Sequence, residues 1–207
     1  MNDATHTHYI ESVTELESLF GPVAEAPRRK EVSYLHPGYQ AMIAASPFAV
    51  LATIGPDGLD ASPRGDPPGF VVVQDEHTLL LPDRRGNNRI DSLRNIVRDP
   101  RVGLLFLVPG HGETLRVNGT AKISVDPRWL DRCAMDGRRP HCVLVVHVQT
   151  VFFQCARAIQ RSRLWDAAAP RPSLPSVGTI VEALTDGSIA GKKYDEELPA
   201  RQQATLY

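Results

Sequence analysis

The chain has 207 residues, 42% hydrophobic and 23% charged, which excludes a disordered or collagen-like protein and suffices to bury a substantial core. Lys and Arg number 23 against 24 Asp and Glu, a formal charge of −1, so no overall basic field points to nucleic acid or an anionic membrane surface. Three cysteines (Cys133, Cys142 and Cys155) in no CxxC spacing argue against a disulfide framework or a zinc ribbon, no apolar run reaches the length of a membrane span, and an amino-terminal stretch with Asp3, Glu11, Glu15 and Glu17 does not read as a secretory signal. The expectation is a cytoplasmic protein in which each cysteine is a small buried hydrophobe.

Thr14 and Glu17 read as a capping box for a helix over Ser12 to Phe20, with Val13, Leu16, Leu19 and Phe20 on one face to pack on the main body and Gly21-Pro22 as its stop. Pro27 to Val32 reads as an exposed charged linker, and Gly38 to Ala45 as a short helix ending before Pro47. From Phe48 the period changes. Phe48 to Ile54 has the composition of a buried strand, Gly55-Pro56-Asp57-Gly58 of a tight turn, and Leu59 to Ser62 of a short return. Pro63 to Gly69 follows as a proline-glycine loop, then strands over Phe70 to Gln74 and Thr78 to Leu81. Beyond Asp99-Pro100, Val102 to Val108 is a core strand; Thr114 to about Val125 is another, with Leu115 and Val117 on one face, Thr114, Arg116 and Asn118 on the other, and a bulge at Gly119. Asp126-Pro127 caps a helix over Arg128 to Met135, and Val143 to Cys155 is the last long strand. A basic segment to Trp165, a proline-rich connection from Ala168 to Pro175 that includes Arg171, a helix over Val177 to Leu184 and a polar tail to Tyr207 complete the chain. Strands joined mainly by short turns, with helices inserted singly, are the pattern of a mainly β, α+β protein: an antiparallel, Greek-key-like barrel with peripheral helices.

The stretch with most chemistry runs from Leu79 to Arg98. Pro82 is expected to end a strand, and the loop Asp83-Arg84-Arg85-Gly86-Asn87-Asn88-Arg89 opens a helix with Ile90, Leu93 and Val97 at helical spacing. A helix amino terminus carries unpaired N–H groups and partial positive charge, so arginines, amides and a glycine gathered there make an anion site, best suited to a phosphate monoester. A solvated basic loop with Asn88 as helix N-cap has the same residues. The histidines His36, His77, His111, His141 and His147 show no ligand spacing, His6 and His8 lie near the terminus, and metal binding is not expected. Glu113 reads as a solvated carboxylate or a general base.

Four ordered motifs decide between these readings: Ser62-Pro63-Arg64-Gly65-Asp66-Pro67-Pro68-Gly69-Phe70; Pro82-Asp83-Arg84 with Gly86-Asn87-Asn88-Arg89; Gly112-Glu113-Thr114-Leu115-Arg116-Val117-Asn118-Gly119; and Arg161-Ser162-Arg163-Leu164-Trp165. Together, from about Phe48 to Asp166, they resemble the pyridoxamine 5′-phosphate oxidase-like flavoproteins, in particular an actinobacterial-type branch. The resemblance implies an FMN-binding split β-barrel over 47–166; the residue pattern adds an amino-terminal helical segment over 1–46 packed on it and a carboxy-terminal helix and tail over 167–207. The resemblance implies FMN as cofactor, with Arg84, Asn87, Asn88 and Arg89 at the phosphate, Asp83 among the cofactor-binding residues, Arg64 at the phosphate or ribityl chain, and Thr114 and Arg116 near the flavin edge. By similarity the protein is a homodimer with FMN at the interface, where Arg161, Ser162 and Trp165 reach the partner's flavin or serve as an interface helix; Gln154 and Arg157 read as structural. The activity implied is an FMN-dependent oxidoreductase on an unassigned small molecule, with transient NAD(P)H as a possible electron source, since no dinucleotide fingerprint is present. A non-enzymatic flavin store or sensor is the alternative. A true pyridoxamine or pyridoxine phosphate oxidase is a further one, although the ending Leu198-Pro199-Ala200-Arg201 lacks that enzyme's arginine-containing pattern.

Overall fold

A computed structural model describes residues 8–170 and 172–206; Asp3, His6, Arg171 and Tyr207 lie outside them. The chain divides into a short amino-terminal unit, Met1–Glu31, and a main unit, Val32–Tyr207. In the first, helix α1 (Val13–Ser18) starts from Ser12, whose hydroxyl accepts from the Glu15 N–H at 3.1 Å. The expected Thr14 cap is corrected, because Ser12 has the extended backbone of a cap and Thr14 already lies in the first turn. Val13, Leu16, Leu19 and Phe20 are exposed. Where a linker was expected, α2 (Glu25–Arg29) forms, with Pro27 in the first turns where its missing N–H breaks no helical bond.

In the main unit, α3 (Pro37–Ala45) is capped by the His36 ring, which accepts from Gly38 N–H, and buries Ile43. Seven strands follow, interrupted by helices: β1 (Phe48–Gly55), β2 (Gly58–Gly65), β3 (Val72–Asp75), β4 (Thr78–Asp83), α4 (Asp91–Arg98), β5 (Arg101–Leu107), β6 (Thr114–Ser124), α5 (Pro127–Arg132) and β7 (Cys142–Gln154). They make one sheet in the order β2-β1-β5-β6-β7-β4-β3 with every pairing antiparallel. This is the expected α+β split barrel. The main core is filled from alternate positions, among them Leu51, Leu79, Leu81, Leu104, Phe106, Leu115, Val117 and Val146, while Leu80 and Val143 turn to the other face and pack with Cys133 and Trp129 near α5.

Two strands run further than proline content indicated. β2 continues through Pro63 to Gly65, and β4 through Pro82 to Asp83. Proline is tolerated in edge strands: β2 is the end of the sheet, and β3, whose Val72 lies opposite Leu80, leaves β4 beside β7 only by the time it reaches Pro82. The irregularity expected at Gly119 is present as a bulge on the facing strand: the β6–β7 register shifts after Asn118, and Gln149 of β7 is the extra residue. Asp126 caps α5 through the Arg128 N–H at 2.9 Å.

Beyond β7 come α6 (Arg157–Ser162), α7 (Val177–Leu184) and α8 (Gly191–Ala204), so the expected helix over Val177 to Leu184 forms and the polar tail adds a second one. Gly178 and Gly191 let α7 and α8 touch backbone to backbone, and the Asp195 carboxylate accepts from the Gly178 N–H at 2.7 Å. α8 runs on through Pro199.

Candidate functional site

A cavity of about 830 Å³ opens where the two ends of the sheet meet. One wall is β2, at one end of the strand order; another is the end of β4 with His141 and Cys142 at the start of β7; the loop 84–90 and the first turn of α4 close it. Strands far apart in the order line one cavity because the sheet curls, and Arg84 ties its ends together. The Arg84 Nε donates to Asp66 just beyond β2 at 2.6 Å, and its Nη1 donates to the Cys133 carbonyl at 2.8 Å.

The expected cofactor residues Arg64, Asp83, Arg84, Asn87, Asn88 and Arg89 all line this cavity. Their roles differ. Arg84 faces inward, engaged as above. Arg89 is largely exposed and donates through Nε to Asp91 at 2.8 Å. The Asn87 side-chain oxygen accepts from the Arg89 N–H at 3.1 Å, shaping the loop. Arg85, exposed, has no ion-pair partner among the described residues. Arg64 donates from Nη1 to its neighbour's carbonyl at 2.9 Å, while its Nε is buried without an acceptor. Burial pushes the Asp83 carboxyl up, against the opposing charges of Arg64 and His141.

Asn88 is not the helix cap. The cap position is Ile90, left-handed at φ 52°, with Asn88 also left-handed at φ 60°, and no side chain caps α4. Of the expected apolar face, Leu93 is half-buried against the core, while Ile90 and Val97 are exposed and Ser92, Asn95 and Ile96 are buried instead. Two of these buried residues are held by polar contacts. The Asn95 amide donates to Thr53 of β1 at 3.0 Å, and the Ser92 hydroxyl donates to Asp60 of β2 at 2.7 Å. Asp60 and Ser62, cavity residues that sequence reasoning passed over, alternate with Ala61 and Pro63 on β2. A period-two run of Asp60, Ser62 and Arg64 on a strand was the available signal.

Thr114, Arg116, Arg161, Ser162 and Trp165 do not line the cavity. Thr114 pairs with Gln154 across β6 and β7, and Arg116 lies over the Phe152 ring at 5.5 Å. With the Gln154 amide turned so that its oxygen faces the guanidinium, Arg116 donates to it at 2.9 and 2.8 Å. The Trp165 indole N–H donates to the His111 carbonyl at 2.7 Å, and the Ser162 hydroxyl donates to the Ile159 carbonyl at 3.1 Å. Glu113 is exposed. Cys133 and Cys142 are buried as expected, with the Cys142 thiol pushed up to about 11, chiefly by burial; Cys155 is exposed, which corrects the expectation for it. Among the described residues no cluster of His, Cys, Asp and Glu forms a metal site, and no helix is long and apolar enough to cross a membrane.

Fold and site define an antiparallel split-barrel protein with a basic loop at the seam of its sheet. Residues 35–155 match the sequence model of the family described as pyridoxamine 5′-phosphate oxidase, more than half of the chain, and the protein belongs to that family. No curated protein matches the sequence. Solved structures similar to it include HupZ of Group A Streptococcus, at 17% identity and TM-score 0.48 over 58% of this chain and 94% of that one. An FMN-binding protein of Syntrophomonas wolfei is similar at 12% identity and TM-score 0.44, over 55% and 82% of the two chains. A protein of Clostridium acetobutylicum related to general stress protein 26 is similar at 13% identity and TM-score 0.44, over 56% and 84%. The family assignment rests on the sequence match.

Proposed function

We propose that the seam cavity binds FMN by its phosphate and that the protein is an FMN-dependent oxidoreductase acting on a small molecule. The observation that carries this reading is the buried Arg64 Nε without an acceptor, in the same cavity as the arginine loop and the uncapped amino terminus of α4. An unsatisfied buried donor is costly, on the order of 1–3 kcal/mol, and an oxyanion or carbonyl of a ligand would satisfy it. The residues present fit the group: Arg85, Arg89 and the N–H groups at the start of α4 bind phosphate, and the Asp83 carboxylate suits a hydroxyl or ring N–H donor. Bound FMN would supply hydride acceptance and donation, which requires no acid or base from the chain for the hydride step itself. Arg84 acts structurally, holding the seam at a fixed width. In this reading the protein is a homodimer, and the exposed Arg116, Arg161 and Ser162, with Thr114 and Trp165, face the flavin of a second copy. NAD(P)H is the proposed electron donor, bound transiently over the flavin.

An absorbance spectrum of the purified protein, with mass analysis of what denaturation releases, tests the cofactor. Flavin bands with released FMN are expected, and the Asn88→Ala/Arg89→Ala double variant should purify colourless yet folded. A wild-type protein that is colourless and does not take up added FMN overturns the reading. A bound flavin that is neither reduced by NAD(P)H nor reoxidised by any acceptor would leave a flavin-binding protein in place of an oxidoreductase.

A further inference from the structure

The loop that closes the cavity is bent in a way its own residues do not favour. Asn88 and Ile90 are left-handed at φ 60° and 52°; asparagine tolerates this region, but for a β-branched residue such as Ile90 it is an outlier. Such conformations persist only where surrounding structure over-determines them. Local contacts are confined to the surface, where Asn87 accepts from the Arg89 N–H and Arg89 pairs with Asp91, and α4 lacks the side-chain cap that Asp126 provides for α5 and Ser176 for α7. The buried contacts come from another strand. Ser92, in the first turn of α4 and 3% exposed, donates its hydroxyl to Asp60 Oδ2 at 2.7 Å. The same carboxylate accepts from Ser62 at 3.3 and 3.2 Å and from Thr53 at 3.4 Å, and Thr53 in turn accepts from Asn95 one turn further along α4. Gly55 beside them leaves room for the Asn95 amide, which a Cβ there would strike. Asp60 thus joins β1, β2 and α4, and through β2 it shares a face with Arg64.

We propose that Asp60 is a positioning residue that holds the loop 84–90 and the start of α4 in the form that receives a phosphate; the proposal rests on the FMN reading above. Electrostatics alone works against it. A carboxylate lining a cavity for an anion, within electrostatic reach of Arg89, weakens anion binding by its charge, so removing it should tighten binding if charge were its only effect. Positioning gives the opposite sign, because releasing Ser92 lets the strained loop relax away from the arrangement the ligand needs.

The test compares wild type with Asp60→Asn, Asp60→Ala and Ser92→Ala. Affinities for FMN and for riboflavin, which lacks the phosphate, are measured by flavin fluorescence, and backbone amide exchange over residues 84–92 is measured on the ligand-free proteins. Asp60→Ala is expected to weaken FMN about tenfold or more while riboflavin stays within about twofold. Exchange over residues 84–92 should rise with β5 and β6 unchanged, and Asp60→Asn, which keeps an acceptor for Ser92, should retain most of the wild-type behaviour. Tighter FMN binding in Asp60→Ala, equal losses of FMN and riboflavin, or unchanged exchange over 84–92 overturns the proposal. Ser92→Ala removes the same contact from the other side and decides the matter if Asp60→Ala does not fold. Failure of the wild type to bind FMN refutes the cofactor reading, while the exchange data still decide whether Asp60 holds the loop.

Discussion

Arg84 and Asp66 form an ion pair that joins the two ends of the sheet, the guanidinium Nε 2.6 Å from a carboxylate only 2% exposed. Removing one partner of a buried pair strands the other charge, at about 3–5 kcal/mol. Arg84→Ala is therefore expected to lower the unfolding free energy by about that amount and to lose FMN as a secondary effect. Arg85→Ala, at an exposed side chain, should weaken FMN with little change in stability, within about 0.5 kcal/mol. Chemical denaturation of both variants beside a flavin titration separates the roles.

Ile90 occupies a left-handed position at φ 52° with its side chain 47% exposed, so little packing opposes its replacement. Asparagine tolerates this region far better, and Ile90→Asn should stabilise the protein by about 0.5–1 kcal/mol. Thermal unfolding followed by circular dichroism reads the change; a lower midpoint would show that the Ile90 side chain contributes more by packing than its backbone costs.

At Gly119 a Cβ would overlap the His147 carbonyl oxygen in the β7 backbone, where no flexible side chain can move aside. Gly119→Ala should cost about 3 kcal/mol by forcing the bulge open. Because the bulge sets the register of β6 against β7, the expected accompaniment is faster amide exchange along both strands.

Asp99, the residue that ends α4, accepts from the Arg101 guanidinium and backbone N–H, which hold its carboxyl down at about 2 from an ordinary 3.8. A pKa lowered by folding stabilises the native state above the unfolded value, and that contribution is lost as pH falls from 3.8 toward about 2. Asp99→Asn should therefore be less stable than wild type at pH 6, with the difference closing across that acid window. Urea unfolding at a series of pH values checks it.

Much of this architecture was legible in local pattern. Alternation placed Leu115 and Val117 inward on β6, Gly55 to Gly58 closed the first hairpin, Gly119 announced the bulge opposite it, and Asp126-Pro127 announced α5. The arginine loop between β4 and α4 stood out by composition, and the structure gathers its residues with Arg64 around one cavity. Each of these signals is carried by residues within a few positions of one another, where side-chain period and turn chemistry act directly.

What the sequence determined by itself was the kind of the strands and of most helices, and the presence of a basic, anion-suited loop. Only the tertiary structure decided which face of α4 is buried, how far β2 and β4 run through their prolines, that the tail folds as α8 against α7, and that Arg84 serves the seam. The physical reason is separation along the chain. Arg84 meets Asp66, Ser92 meets Asp60, and Asn95 meets Thr53 only after the sheet has curled and brought its ends together, and those buried polar contacts, with Ile96 and Leu93 on the core, leave Ile90 and Val97 outward.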